Sequence, residues 1–214
     1  MCIRDRAFLA RILPFVQAGG IWIAGPLTGY RDKNHTNHTT AGLGLLDKFA
    51  GVHTEFVVPL TGMNATGSAM DMTVPLSGWT AAMQPLPGTR SLGTMTSGIV
   101  EGRSFLTERT VGKGKVVVLG GQPHGEEGDR LVSAILSHYA SEAGVTPAPK
   151  ADPGIVSGTH RLQDGTLLTM AVNMTDSAGT ISLPHPVSDH ATNEKLSDDS
   201  QTVAPYQYRL FVHR

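Results

Sequence analysis

The stretch Gly19-Gly20-Ile21-Trp22-Ile23-Ala24-Gly25-Pro26-Leu27-Thr28-Gly29-Tyr30-Arg31-Asp32 constrains the fold of this chain more than any other. Ile21 to Ala24 is an uninterrupted apolar run set between glycines. A strand covered on one face alternates apolar and polar residues. One covered on both faces does not, and such strands belong to the parallel sheets of α/β proteins. Phe8, Leu9, Ile12, Leu13, Phe15 and Val16, just upstream, suit a helix packing back on that sheet. Together they read as the end of one helix–strand unit, almost at the start of the sequence. A sheet of this kind is expected to have earlier strands, so the chain reads as a piece of a longer protein. Residues 1–6, Met1-Cys2-Ile3-Arg4-Asp5-Arg6, have neither helix cap nor period and read as a non-native leader.

Downstream, Thr39 and Thr40 can cap a helix carrying Leu43, Leu46, Phe49 and Ala50, with Gly51 placed to stop it. Val52 to Val58 reads as a strand. Residues 59–94 carry little pattern, are rich in Gly, Thr, Met and Pro, and offer Trp79 as one large anchor. Gly98 to Thr110 reads as paired strands, and Gly112-Lys113-Gly114 as a turn. Lys115-Val116-Val117-Val118-Leu119 is a second buried strand. A helix follows in which Leu131, Ile135 and Tyr139 share a face with Val132, Leu136 and Ala143, and Gly144 ends it.

Residues 147–150 form the clearest linker. Beyond it the period changes to two. Strands are expected at Ile155 to Leu162, Thr166 to Asn173, Gly179 to Leu183 and Tyr206 to Val212, with a polar connection over 188–201. The expected fold class is therefore α/β, an incomplete and mostly parallel sheet over residues 7–146, followed by a small all-β appendix over 151–214.

The chemistry of the sequence is sparse. Cys2 is the only cysteine, which excludes a disulfide framework and a thiolate metal site. A net charge of −1 with 16% charged residues gives no basic footprint for nucleic acid. No apolar run approaches the roughly 20 residues that span a bilayer. Gly25 to Gly29 lacks the spacing of a phosphate-binding loop, and Pro26 removes an amide donor. His35 and His38 could meet one metal, with Asp32 the only further ligand nearby, and read instead as a polar loop. No cofactor is called for. Asn34, Asn37, Asn64 and Asn173 open glycosylation sequons. The adjacent pairs Glu126-Glu127 and Asp198-Asp199 point apart, unlike the two facing carboxylates of a glycosidase, and read as solvated.

Several stretches, in order, resemble the middle and later parts of bacterial β-galactosidases of glycoside hydrolase family 42. They are Phe15 to Asp32, Leu45 to Val52, Ser77-Gly78-Trp79, Gly112 to Gly120, and Ala171-Val172-Asn173-Met174-Thr175. The resemblance implies a parent with an N-terminal (β/α)8 barrel bearing both catalytic glutamates, a flavodoxin-like domain that builds a homotrimer, and a small β-sandwich. This chain would hold the later part of the trimerisation domain and the sandwich, and no catalytic residue. The galactoside substrate would be met by the absent barrel and cleaved with retention. The 28–40 loop is long and polar, and it leaves the edge where open α/β sheets present functional loops. Its Tyr30, Arg31 and Asp32 are the candidate contacts with a neighbouring subunit or the active-site rim.

Two other functional classes are weighed on the residues. A glutamine-amidotransferase-like domain needs a cysteine nucleophile on a strand-to-helix elbow, which Cys2 cannot supply. A carbohydrate-binding accessory module needs exposed aromatics in the β-rich tail. There Tyr206, Tyr208 and Leu210 share one face of a strand, which suits a core better than a platform.

Overall fold

The structure, a computed structural model, describes residues 6–30, 36, 46–60, 64–145, 148–184 and 186–213. Cys2, Arg31, Asp32, His35, His38, Thr39, Thr40 and Leu43 lie outside the described residues. Two compact units divide the chain, Met1–Val145 and Thr146–Arg214.

In the first unit, helix α1 (Arg6–Gln17) leads into β1 (Ile21–Ala24), which runs parallel to β8 (Gly114–Leu119) with Ile21 opposite Lys115 and Ala24 opposite Val118. The start of β8 lies tight against the turn from α1 into β1. A Cβ on Gly114 would lie 2.1 Å from the Gly20 carbonyl oxygen and 2.2 Å from that of Val16, so only glycine fits. Alternate residues of the two strands face opposite cores. Val117, Ile21 and Ile23 join one cluster, which includes Phe105, Leu131, Ile135 and Tyr139. Val116, Val118, Trp22 and Ala24 join the other, with Val16 and Ala50. Trp22 lies 5.7 Å, ring to ring, from both Phe8 and Phe49. Covering on both faces is what an unbroken apolar run requires, and here it is met.

The rest of the sheet departs from expectation. Among the described residues, β1–β8 is the one parallel pair. Every other pairing in this nine-stranded sheet is antiparallel. From β8 the sheet continues through β7 (Ser104–Val111), β6 (Thr89–Met95), β3 (Ala65–Ala69), β4 (Met72–Ser77) and β9 (Gln122–Pro123). β2 (Val52–Pro59) and β5 (Trp79–Pro85) form a branch joined to β7. The expected flavodoxin-like α/β fold is thus corrected to a mixed, mainly antiparallel sheet.

The physical cause lies in residues 59–94, which supply four strands rather than a patternless connection. β3 turns Ala65, Gly67 and Ala69 inward. A Cβ on Gly67 would come within 2.6 Å of the Phe105 ring, and one on Gly93 within 2.8 Å. Glycine here makes room for Phe105, so the core-facing positions carry no apolar signal. Trp79, expected as an anchor, is instead exposed at the start of β5.

α2 (Leu46–Ala50) precedes β2, and α3 (Gly125–Glu142) buries Leu131, Ile135 and Tyr139 against the Phe105 core. Leu136, grouped with that face by period, is exposed.

In the second unit a five-stranded sheet runs in the order β10 (Ile155–Arg161), β11 (Leu167–Asn173), β16 (Tyr208–His213), β13 (Val187–Asp189), β14 (Lys195–Leu196). A two-stranded sheet pairs β12 (Gly179–Ser182) with β15 (Ser200–Val203). Ala171, Ile181, Leu183, Val187, Val203 and Phe211 form the core of the unit. The 188–201 connection therefore contains strand residues of its own. The terminal strand is also corrected in phase. Phe211 is buried, whereas Tyr206 and Tyr208 are 72% and 67% exposed.

Asn173 is buried and cannot accept a glycan. Its Nδ2 donates to the Ser177 carbonyl at 2.8 Å and the Val203 carbonyl at 3.0 Å, and its Oδ1 accepts from Thr175.

Candidate functional site

Of the three loop residues singled out by sequence, only Tyr30 lies within the described residues, and it is half-buried. It follows a turn over 26–29 in which Thr28 is buried and Leu27 takes a φ of 59°. A β-carbon on Gly25 would meet nothing within 4 Å, so packing does not demand a glycine at the strand end.

Among the described residues, a dense charge cluster of the first unit lies elsewhere, where β6, β7, β8 and α3 converge. Glu108 on β7 is 4% exposed and sits on the sheet face it shares with Leu106 and Val117. Arg90 of β6 pairs with its Oε1. On Oε2 it accepts the Tyr139 hydroxyl at 2.9 Å and Lys115 Nζ at 3.2 Å. Lys115 also reaches Glu142 of α3 at 2.6 Å and lies 5.9 Å from the Tyr139 ring centre. Beside this cluster is a cavity of about 220 Å³, walled by Met70, Leu92, Leu106 and Ile135 and edged by Arg90 and His138.

The electrostatics fix the protonation states. Burial alone would raise the Glu108 carboxyl, but hydrogen bonds from Arg90, Tyr139 and Lys115 outweigh it and hold the group below its ordinary range. Burial, then the Glu108 charge, push the Tyr139 hydroxyl up. The hydrogen bond to Glu142, followed by Glu108, raises Lys115. A carboxylate kept ionised and occupied by three donors neither gives nor takes a proton readily. This arrangement ties α3 to three strands.

The sequence reading missed this cluster, although a signal existed. Glu108 is a charge two residues from Leu106, on the side of β7 where Ser104 and Leu106 are buried, and Tyr139 closes the apolar face of α3.

Other carboxylates are placed apart. Among the described residues, Asp47, Glu108 and Asp189 are the buried ones. Asp47 Oδ2 accepts the Thr54 amide at 3.5 Å. Asp189 holds Arg209 at 2.7 Å and accepts the amides of Ala191 and Thr192. Burial opposes the charge of Asp189, but Arg209 and those amides overcome it and lower its titration. Glu126 and Glu127 stand exposed in the first turn of α3 near Arg130, and Asp198 and Asp199 are exposed. Among the described residues there is no group of three potential metal ligands, and no helix is long and apolar enough to cross a membrane.

Residues 1–146 match the family described as the β-galactosidase trimerisation domain. The chain is 39% identical over 206 residues to the β-galactosidase YesZ of Bacillus licheniformis, covering 96% of this chain and 31% of that protein. It is 39% identical over 203 residues to the Bacillus subtilis YesZ, covering 95% of this chain and 30% of that protein. The chain thus spans about a third of the length of these curated relatives. Its fold matches that of a solved β-galactosidase from Bacillus circulans sp. alkalophilus, with a TM-score of 0.83 at 16% identity, over 98% of this chain and 31% of that one. With more than half its length inside the family match, this chain belongs to the β-galactosidases of glycoside hydrolase family 42, as a segment containing their trimerisation domain.

Proposed function

We propose that this chain is the non-catalytic part of an enzyme that hydrolyses terminal β-D-galactosides with retention, and that it serves to assemble and support that enzyme. In this reading residues 7–146 hold three copies together, 147–150 act as a linker, and 151–214 form a β domain of their own. The observation that carries it is the disposition of the carboxylates. Retaining glycosidases need two carboxyl groups about 5–5.5 Å apart, one to attack and one to protonate. The buried carboxylates among the described residues instead each serve their own ion pair or backbone amide. The active barrel and the galactoside are assigned to the part of the enzyme outside these residues.

The Tyr30–Asp32 loop is proposed to face a neighbouring subunit or the active-site rim. It leaves the carboxyl end of β1, the strand paired in parallel with β8. In the full-length enzyme, Arg31→Ala should then weaken trimer assembly, read by light scattering, or raise the KM for an aryl β-galactoside, with the fold intact.

The catalytic half of the reading is checked with an aryl β-galactoside. The purified chain should release no aryl alcohol above buffer. Turnover that disappears when any one glutamate of this chain is replaced would overturn it.

A further inference from the structure

Antiparallel sheets with one face in water normally carry polar residues on that face. On strands β10, β11 and β16 of the second unit that face is mostly apolar. Thr169, Ala171, Asn173 and Phe211 are buried, so the alternate residues of β10, β11 and β16 form the opposite face. Their registers align in rows. Val156 lies beside Val172, and Val172 beside Tyr208. Gly158 lies beside Met170, and Met170 beside Leu210. Leu168 and Val212 continue the next row. No Lys, Arg, Asp or Glu stands on this face of the three strands. Val156 is 64% exposed and Met170 43%.

A contiguous apolar patch of this kind marks an interaction surface. We propose that it is a domain contact within the full-length enzyme, covered by apolar surface from the part of that polypeptide outside these 214 residues. The proposal rests on the reading that the chain belongs to a longer β-galactosidase. Two observations favour this occupant over a second copy. The relatives are about three times as long as this chain, so most of such a polypeptide is tethered nearby at high effective concentration. The family match that names an assembly role stops at residue 146, before this face begins. Stacking two copies of one sheet face would also impose a two-fold axis, which a cyclic trimer lacks.

Met170 and Tyr208 report directly on coverage, because oxidation of such side chains follows their exposure. Hydroxyl-radical footprinting would compare the isolated chain with the full-length enzyme, or with the Bacillus licheniformis relative whose matching segment is exchanged for this chain. Both residues should oxidise about tenfold more slowly in the long protein. A Met170→Lys/Tyr208→Lys variant should lower the unfolding temperature of the long protein and leave that of the isolated chain within about 2 °C. Equal oxidation in both settings would overturn the proposal. So would protection of the isolated chain that grows with its concentration, which would assign the face to a second copy, or protection by added galactose, which would assign it to carbohydrate. Light scattering on the same samples separates the two readings. A protected face in a monomeric enzyme removes only the trimer, and an exposed face in a trimer removes only this contact.

Discussion

Replacing Glu108 with alanine is expected to destabilise the first unit by about 3 kcal/mol, the low end of the cost of leaving one partner of a buried ion pair alone. That corresponds to a fall of roughly 6–12 °C in unfolding temperature for a unit of this size. The loss comes mainly from what stays behind. The Tyr139 hydroxyl, 2.9 Å from Glu108 in the native chain, would sit buried without an acceptor, and Lys115 would lose one of its two carboxylates. Arg90 contributes little, because most of its side chain is in water. Tyr139→Phe should cost less, about 1–2 kcal/mol, since it removes one hydrogen bond and leaves the ion pairs in place. Thermal unfolding followed by circular dichroism measures both.

The same group gives the stability a pH dependence. Glu108 titrates lower when folded than its ordinary value of 4.5, so ionised Glu108 favours the folded chain above that value. The contribution is lost as pH falls through the depressed folded value. Wild-type stability should therefore drop more steeply on acidification below about pH 4.5 than that of Glu108→Ala.

Phe211→Ala is expected to have the larger consequence for the second unit. Phe211 is fully buried in a core of six buried apolar residues among those described, and its guanidinium neighbour Arg209 lies 4.9 Å from the ring. Truncating a buried phenylalanine costs about 3–5 kcal/mol. A domain of about 70 residues has a stability of only roughly 3–10 kcal/mol. The second unit of the variant should lose amide protection along β10, β11 and β16, while β7 and β8 of the first unit stay protected. Hydrogen exchange resolved by segment reads this directly.

What could be read from the sequence follows from where side chains had to be apolar. Ile21 to Ala24 and Lys115 to Val118 pair in parallel, with both faces of the pair packed on apolar clusters, and α3 buries the Leu131–Ile135–Tyr139 face that its period marks out. The fold class was not legible, because Gly67 and Gly93 fill core-facing positions against Phe105 and erase the period of β3 and β6. In the terminal strand, Tyr206 to Val212, the alternation was visible but its phase was not. Both faces of that strand carry apolar residues, and only the packing of Phe211 against Ile181 and Val203 decides which one is inside. The Glu108 cluster unites residues from four elements and depends on their three-dimensional order. A sequence motif for it would amount to one misplaced charge.

Assembly of a β-galactosidase is the role proposed for this chain. Its most direct test is the mass of the purified chain by multi-angle light scattering across a range of micromolar concentrations. A species at three times the 22.6 kDa chain mass is the expected result. A chain that stays at 22.6 kDa at every concentration, while its circular dichroism shows it folded, would contradict the claim.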